Sequence, residues 1–369
     1  IVVGRLLSPE LHRVMATAAS AAHGQAYLDV RLLGAPLFLA AVALREARHG
    51  VSDTRLPMRA ALAANLANVV LDWLFIFELQ LGPAGAAWAS VVAHGVDLAV
   101  LVVATRRLAI RSRVKAARQA GWAAFGLGRR GFAQVGAVWR MGLPLGGQML
   151  LEVAAFAILT AMFSAMSEVD VAAHQIALQV IHFSFLPALA IGEAASVMVG
   201  QAVGADEDRL VRPLARQTLW LVVFYTGACA IVCAVAAWPI AGAFSDDVAL
   251  QRTTAHLLYI AAAFQIFDGA NIVARSVLRG TGDVRWPAVV NVAMAWLVTP
   301  PLTLLLGYGL GLGVIGGWLG FCAEIVGGAS LLWWRLERGH WLRAAHRSRR
   351  DLDEEPAPSS RQPLVAVQS

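Results

Sequence analysis

The sequence has little charge, little cysteine and a single lysine, and each shortage excludes a class of protein. Charged residues make up 15% of the 369 residues and hydrophobic residues 58%, whereas a soluble domain carries about 25% charged residues. This composition excludes an ordinary soluble domain and favours a membrane protein. The net charge of +6 does not indicate a nucleic-acid partner, because the basic residues lie between apolar runs, as in loops beside anionic lipid.

Further absences bear on chemistry. The three cysteines, Cys229, Cys233 and Cys322, lie inside apolar runs without flanking histidine partners, so we expect core residues and no metal site. The only lysine, Lys115, follows no glycine-rich loop, which argues against a nucleotide site. No HExxH or GxSxG motif occurs, and an intramembrane enzyme is therefore disfavoured. We therefore expect no cofactor.

The chain contains nine apolar runs of the length that a bilayer requires, about 20 residues. They fall at 28–46, 58–78, 84–105, 141–163, 171–200, 217–241, 254–276, 287–306 and 313–334. If successive helices alternate across the membrane, 26 of the 30 Lys and Arg residues fall on one side. The positive-inside rule makes that side cytoplasmic. We therefore predict a multi-pass membrane protein with a cytoplasmic C-terminus.

A charged segment occurs twice between apolar runs, as ARHGVSDTRLP (Ala47–Pro57) and LRGTGDVRWP (Leu278–Pro287), at an offset of 230 residues. Two glycine turns, Leu81–Gly85 and Leu312–Gly316, follow at an offset of 231. We interpret the charged segments as duplicated hinges between helices, with glycine permitting the turn and Asp283 capping the next helix. The predicted hinge residues are Gly50, Asp53, Arg55, Pro57, Arg279, Gly280, Asp283, Arg285 and Pro287.

The duplication predicts the domain organisation. The parts are a partial N-lobe of three helices (1–105), a basic cytoplasmic linker (106–140), a complete C-lobe of six helices (141–342) and a disordered cytoplasmic tail (343–369). Gly280 lies 139 residues into the second copy, but the matching Gly50 lies only 50 residues from Ile1. We therefore expect about 90 residues, or three helices, to be absent from the front.

Three further segments precede the second hinge in order: GLPLGGQMLLEVAAF (Gly142–Phe156), VAAHQIAL (Val171–Leu178) and AFQIFDGANIVARSVLRG (Ala263–Gly280). With the hinge they resemble the multidrug and toxic compound extrusion (MATE) transporters, in particular the NorM-type branch. The resemblance implies an all-α integral membrane fold, a duplicated six-helix bundle whose two lobes face each other across a cavity. It also implies export of cationic, amphipathic compounds, coupled to inward H⁺ or Na⁺.

Two acidic residues inside predicted helices are the candidate cation-coupling residues. Glu152 lies 11 residues into its helix, about 16 Å deep, and a carboxylate near the midplane is functional by default. The resemblance assigns coupling to both Glu152 and Asp268. Gln148 shares the face of Glu152, and Gln265 and Asn271 flank Asp268, so we expect these three to line the cavity.

Each acid has an alternative interpretation. Glu152 could be a structural carboxylate hydrogen-bonded to a neighbouring helix, and Asp268 could form an ion pair with Arg275, two turns further on. Phe264 stands where some sodium-coupled relatives carry tyrosine, which weakens the case for Na⁺. The other acids within apolar runs, one held as structural and two as secondary candidates, are Asp72, Asp97 and Glu324.

One face of the predicted helix 171–200 carries a mostly polar stripe. Its members advance by alternating steps of four and three residues, and so lie within about 40° of one line. They are Gln175, Gln179, His182, Leu186, Leu189 and Glu193. We expect the four polar ones to line the cavity, although the glutamines could instead bridge packed helices. Trp333, Trp334 and Trp341 are expected in an interfacial belt.

Together these features and the resemblance favour a monomeric secondary exporter of the bacterial inner membrane, which exchanges cationic small molecules for H⁺ or Na⁺ within membrane lipid, without a nucleotide. One alternative is a lipid-linked oligosaccharide flippase of the same superfamily, whose cavity should be more basic. The other is a truncated fragment without function.

Overall fold

The structure, a computed structural model, describes residues 18–50, 53–111 and 129–353. Within these ranges every regular element is a helix, which confirms the predicted all-α fold. Nine of the described segments are long and apolar enough to cross a bilayer, the number predicted from the sequence. The chain divides into two compact units between Gly126 and Leu127, inside the predicted linker.

In its described part, the N-terminal unit consists of three long helices. They are α1 (Ala18–Gly50), α2 (Arg55–Asp72) and α3 (Gly82–Arg111), with a π-helical turn, Trp73–Glu78, that extends α2. Helix α3 packs along both α1 and α2, whereas α1 and α2 contact each other only briefly. The buried core is small, with Ala41, Ala60 and Leu101 at its centre.

The C-terminal unit is built around one central helix. Its helices are α4 (Arg129–Met166), α5 (Glu168–Gly204), α6 (Val211–Val235), α7 (Ala237–Phe244), α8 (Val248–Gly280), α9 (Arg285–Leu297), α10 (Thr299–Leu302), α11 (Gly313–Arg338) and α12 (Leu342–Asp353). A π-helical turn, Thr303–Gly309, follows α10, and together with α9 these form one span. Helix α8 packs against α5, α6 and α11, so several of its faces contact other helices of the unit.

The two predicted glycine turns share one backbone geometry. The π-helical turns begin 230 residues apart. Gly82 and Gly313, 231 residues apart, begin the following helices in the left-handed region, with φ of 56° and 57°. A Cβ at Gly85 or Gly316 would collide with the backbone of the preceding turn. Glycine is therefore required at matching places in both halves.

Both predicted hinges join two helices, and their ends match. Gly50 and Gly280 end α1 and α8, and Arg55 and Arg285 begin α2 and α9. A buried proline occupies the third position of each following helix, where a missing N–H breaks no helical hydrogen bond. These prolines are Pro57 and Pro287.

The prediction that Gly280 makes the hinge turn is wrong. It is the last residue of α8, and a Cβ there would lie 2.5 Å from the carbonyl oxygen of Ser196 in α5. Glycine at this position allows α5 and α8 to approach each other. The left-handed residue of the loop is Gly282, with φ of 83°.

The prediction that Asp283 caps α9 is also wrong. Asp283 is buried, and its Oδ2 accepts a hydrogen bond from Arg335 Nε at 2.5 Å. In the first hinge, Asp53 Oδ1 does accept from the backbone N–H of Leu56 at 3.2 Å, as a cap does. A nearby arginine of α11 draws the second aspartate away from the helix end.

Helix α5 contains Pro187, which lacks the N–H that would bond the carbonyl of Phe183. The hydroxyl of Tyr225 in α6 donates to that carbonyl at 3.0 Å. The neighbouring helix therefore satisfies the acceptor that the proline leaves free.

The prediction of a disordered tail from residue 343 is wrong for 343–353, which belong to α12. Trp341 and Ala345 are buried at its start, and Arg349 makes two hydrogen bonds of 2.8 Å to Asp208. This contact raises the pKa of the Arg349 guanidinium. The burial of Trp341 also removes it from the expected interfacial belt. Residues 354–369, and 112–128 of the predicted linker, lie outside the described part.

Candidate functional site

A cavity of about 450 Å³ lies inside the C-terminal unit. Its polar lining consists of Glu152, His182, Asp268, Asn271, Arg275, Asn291, Thr299 and Glu324. Its larger apolar walls are Phe156, Leu159, Phe185, Phe264, Met294 and Phe321. Carboxyl groups outnumber guanidinium groups three to one in this lining, so the cavity has the chemistry of a site for a cation with an apolar body.

Glu152 is held in the cavity by two partners. Gln148, one turn earlier on α4, donates from Nε2 to Glu152 Oε1 at 2.8 Å, as their common face predicts. Arg275 Nη1 of α8 lies 3.9 Å from Glu152 Oε2, and both side chains are about a quarter exposed. The alternative pairing of Arg275 with Asp268 is therefore not the one observed. Gln148 supports Glu152 from outside the lining.

Asp268 lies in the middle of α8 and opens on the same cavity. Among the described residues, none is within hydrogen-bond or ion-pair distance of its carboxylate. Asn271, one turn later, also lines the cavity. The site thus contains a carboxylate that no side chain of the described ranges compensates directly.

The prediction that Gln265 lines the cavity is wrong. Its side chain is 2% exposed, and Nε2 lies 3.7 Å from Cys233 Sγ of α6. Gln265 and Asn271 are six residues apart, which places them about 120° apart around the helix. Asn271 therefore shares the cavity with Asp268, whereas Gln265 lies on the side of the helix that packs against α6.

Glu324 of α11, a secondary candidate from the sequence, is a full member of the lining. Thr299 Oγ1 donates a short hydrogen bond to its Oε2. Asp97, its near-equivalent in the N-terminal unit, is buried and pairs with Arg45 at 2.5 Å. Two acids at similar places in the repeat therefore have different surroundings.

The polar stripe of α5 divides among three environments. His182 lines the cavity, whereas Gln175 and Gln179 are exposed and stand outside the lining. Glu193 also stands outside it and forms an ion pair with Arg279 of the hinge. The first and last residues of the stripe, Gln175 and Glu193, are 18 positions apart and thus about 27 Å apart along the helix, which is more than one cavity of this size covers.

The sequence reasoning missed Asn291, Thr299 and Phe321. Asn291 was detectable, because it is the only amide or charged residue between Pro287 and Gly309, and a lone amide in a membrane span faces protein or water. Its Nδ2 is buried without a hydrogen-bond partner in the described part of the chain. The aromatic wall carried no such signal, because Phe321 looks like any apolar residue of its helix.

Comparisons with known proteins relate this chain to a family of transporters. A model of the MatE family matches residues 144–305. A probable multidrug resistance protein NorM of Pseudomonas putida is 28% identical over 322 residues, which are 85% of this chain and 69% of that protein. A protein of the same description from Bradyrhizobium diazoefficiens is 30% identical over 311 residues, or 82% of this chain and 65% of that protein. The matched region thus spans about two thirds of these relatives.

The fold has a match among solved structures. The bent form of the MATE transporter VcmN of Vibrio cholerae superposes with a TM-score of 0.76 and 20% sequence identity. The match covers 94% of this chain and 75% of that one. At this identity the likeness concerns the fold alone.

Proposed function

We propose that this chain, which belongs to the MATE family of membrane transporters, exports cationic amphipathic compounds in exchange for H⁺ or Na⁺ at Asp268 and Glu152. The observation that carries the proposal is the carboxylate of Asp268, which no described side chain contacts directly, on a cavity with aromatic walls. A bare carboxylate inside a membrane is costly. A proton, a metal cation or a cationic substrate would each relieve that cost, and this makes them competitors.

The two acids differ in how much compensation the protein itself provides. Arg275 lies 3.9 Å from Glu152, so Glu152 is balanced in part before any ligand arrives. Asp268 forms no ion pair or hydrogen bond with a side chain of the described ranges and is the stronger candidate for the exchange of ligands. Competition at Asp268 couples the two ligands, because each one lowers the affinity for the other by the same factor.

The proton is the first candidate for the coupling ion. Phe264, one turn before Asp268, presents a ring to the cavity and no hydroxyl oxygen. No group of three or more His, Cys, Asp or Glu side chains suited to a metal ion occurs in the described ranges. A proton needs only one acceptor, whereas Na⁺ prefers several oxygen ligands.

Asp268→Asn tests the proposal, because it removes the charge with little change of volume. Ethidium binding to the purified chain should weaken about tenfold or more, by loss of one charged contact inside a low-dielectric cavity. Proton release on ethidium binding, followed with a pH indicator in weak buffer, should fall as well. Asp246→Asn is the matched control, since Asp246 is exposed and outside the cavity.

Unchanged ethidium affinity and unchanged proton release in Asp268→Asn would contradict the assignment of this residue. The ethidium affinity is also compared in buffers that contain either sodium chloride or choline chloride. If Na⁺ changes the affinity and choline does not, and no protons are released, Na⁺ is the coupling ion. Purified protein in liposomes with an imposed pH or Na⁺ gradient then gives the direction of dye movement.

The acid-rich lining also argues against a flippase for lipid-linked oligosaccharides. A pyrophosphate group would meet three carboxyl groups and one guanidinium group in this cavity, and like charges repel at such distances. A cationic dye would instead be attracted by the carboxyl groups.

A further inference from the structure

A second, basic pocket lies where the last membrane span ends. It has a volume of about 360 Å³, and we call it the tryptophan–arginine pocket. Its lining is Trp286, Trp334, Arg335, His340, Arg343, Ala344 and Arg347. The span Gly313–Arg338 passes through Gly339, in the left-handed region with φ of 72°, into α12. The pocket therefore sits at one edge of the hydrophobic part of the chain.

The pocket has an excess of positive charge. Of the described residues, three arginines and one histidine line it, and no acidic side chain does. Arg335 is compensated by Asp283, 2.5 Å away. Arg343 and Arg347 form no ion pair with any described residue, and Arg347 Nε donates only to the backbone oxygen of Arg343, at 3.3 Å. Within the described ranges, two guanidinium groups thus remain available for an anion.

Helix α12 holds these two arginines in place. Trp341 and Ala345 are buried, and Arg349 is bonded to Asp208. These three residues are spaced by four, so they share one face of the helix. Arg343 and Arg347 lie on the opposite face, at the pocket. The site is therefore built on an anchored helix and not on a freely moving one.

A buried donor in the pocket lacks an acceptor. Trp286 Nε1 is buried without a hydrogen-bond partner in the described ranges. The guanidinium carbon of Arg335 lies 4.8 Å from the centre of the Trp286 ring, which fixes the orientation of the indole. Since buried N–H groups are normally paired, the orphan donor points to an acceptor that the described chain does not supply.

We propose that this pocket binds the phosphodiester headgroup of an anionic membrane lipid. Arginine forks match phosphate oxygens in geometry and charge, and an indole N–H provides a further donor. Trp334 is 48% exposed and Leu331 41% exposed beside the pocket, which gives acyl chains an apolar surface next to the headgroup. Tryptophan and arginine at the end of a membrane span are typical of the headgroup level. The site is separate from the acidic cavity and does not rest on the transport proposal.

Competition binding tests the proposal. The purified full chain in a neutral detergent is titrated with phosphatidylglycerol that carries a fluorescent acyl chain, and anisotropy is recorded. Unlabelled phosphatidylglycerol should displace the probe, whereas phosphatidylcholine and inorganic phosphate should not displace it over the same concentration range. Arg343→Gln with Arg347→Gln should weaken binding about tenfold, from the loss of two charges near the headgroup.

Two further variants make the result specific. Arg209→Gln with Arg216→Gln removes the same charge from exposed positions outside the pocket and should change the affinity less than about twofold. Trp286→Phe keeps a ring and removes the N–H, so binding should weaken about threefold or more. Unchanged thermal midpoints without lipid verify the fold of each variant.

Three outcomes would overturn the proposal. Equal competition by phosphatidylcholine would remove the requirement for an anion, and equal competition by inorganic phosphate would show a free-anion site. Equal loss in the control pair would show that general surface charge attracts the lipid, and not this pocket.

Discussion

The two units carry an arginine at the same place in the repeat and use it differently. Arg45 and Arg275 are 230 residues apart, the offset of the hinges. Arg45 Nη2 lies 2.5 Å from Asp97 Oδ2, whose side chain is 5% exposed. Arg275 lies 3.9 Å from Glu152, and both line the open cavity. The N-terminal unit thus has a short ion pair to a buried carboxylate, whereas the C-terminal unit has a longer ion pair to a carboxylate that lines a cavity.

The partner acid also comes from a different helix in each unit. Asp97 belongs to α3, the repeat equivalent of α11, and α11 carries Glu324 one turn from the matching position. Glu324 bonds Thr299 and leaves Arg275 to Glu152 of α4. The comparison teaches that the duplication preserves the backbone while the charges are redistributed. In the C-terminal unit that redistribution exposes carboxyl groups to a cavity.

The largest effect is expected from breaking the ion pair between Arg45 and Asp97. Arg45→Gln leaves Asp97 buried without its counter-charge and should lower the free energy of unfolding by about 3 kcal/mol. Arg275→Gln should cost below about 1 kcal/mol, because Glu152 is partly exposed and retains Gln148. Titration of the purified chain with sodium dodecyl sulfate in dodecyl maltoside, followed by circular dichroism, measures both.

The double variant Arg45→Gln, Asp97→Asn is the control for this comparison. Replacing both charges by amides removes the unpaired carboxylate, so most of the lost stability should return. Equal losses of stability in Arg45→Gln and Arg275→Gln would mean that the two ion pairs are energetically alike. The proposed difference between the two units would then be wrong.

The sequence predicted the number of spans and the duplicated turns, because both depend on local properties of the chain. Apolar length determines a span, and glycine is needed where a Cβ collides or φ is positive, as at Gly82 and Gly313. Glu152 and Asp268 were identifiable as acids inside apolar runs. These features require no knowledge of which helices are neighbours.

The errors concern contacts between helices. Gln265 was placed in the cavity, but it faces Cys233 of α6. Asp283 was predicted to cap α9, but it pairs with Arg335, 52 residues later. Residues 343–353 read as disordered from their charge, yet Trp341 and Arg349 anchor them to the unit. Spacing on one helix gives a face, and only the packing determines what that face meets.

A second prediction concerns the shared glycine turns. Alanine at Gly316 would place its Cβ 2.5 Å from Gly307 N and from Leu306 C, whereas at Gly85 the nearest atom, Phe75 O, is 2.9 Å away. Backbone atoms cannot rotate aside, so Gly316→Ala should cost about 2 kcal/mol or more and Gly85→Ala roughly 1 kcal/mol. The same detergent titration applies, with Gly146→Ala as the control, because nothing lies within 4 Å of its Cβ position. A larger loss of stability in Gly85→Ala than in Gly316→Ala would contradict this prediction.

The smallest effect distinguishes the two hinge aspartates. Asp53→Ala should cost about 1 kcal/mol, because the backbone N–H of Leu56 loses its cap. Asp53→Asn should restore most of that loss, since the amide oxygen can accept the same hydrogen bond and the pair with Arg48 at 3.2 Å is partly exposed. At Asp283 the carboxylate serves Arg335 and not the helix end, so alanine and asparagine should cost similar amounts. Unfolding titrations of the four variants measure this pattern. The predicted difference between the two hinges would be contradicted if asparagine were more stable than alanine at position 283, or if asparagine were no more stable than alanine at position 53.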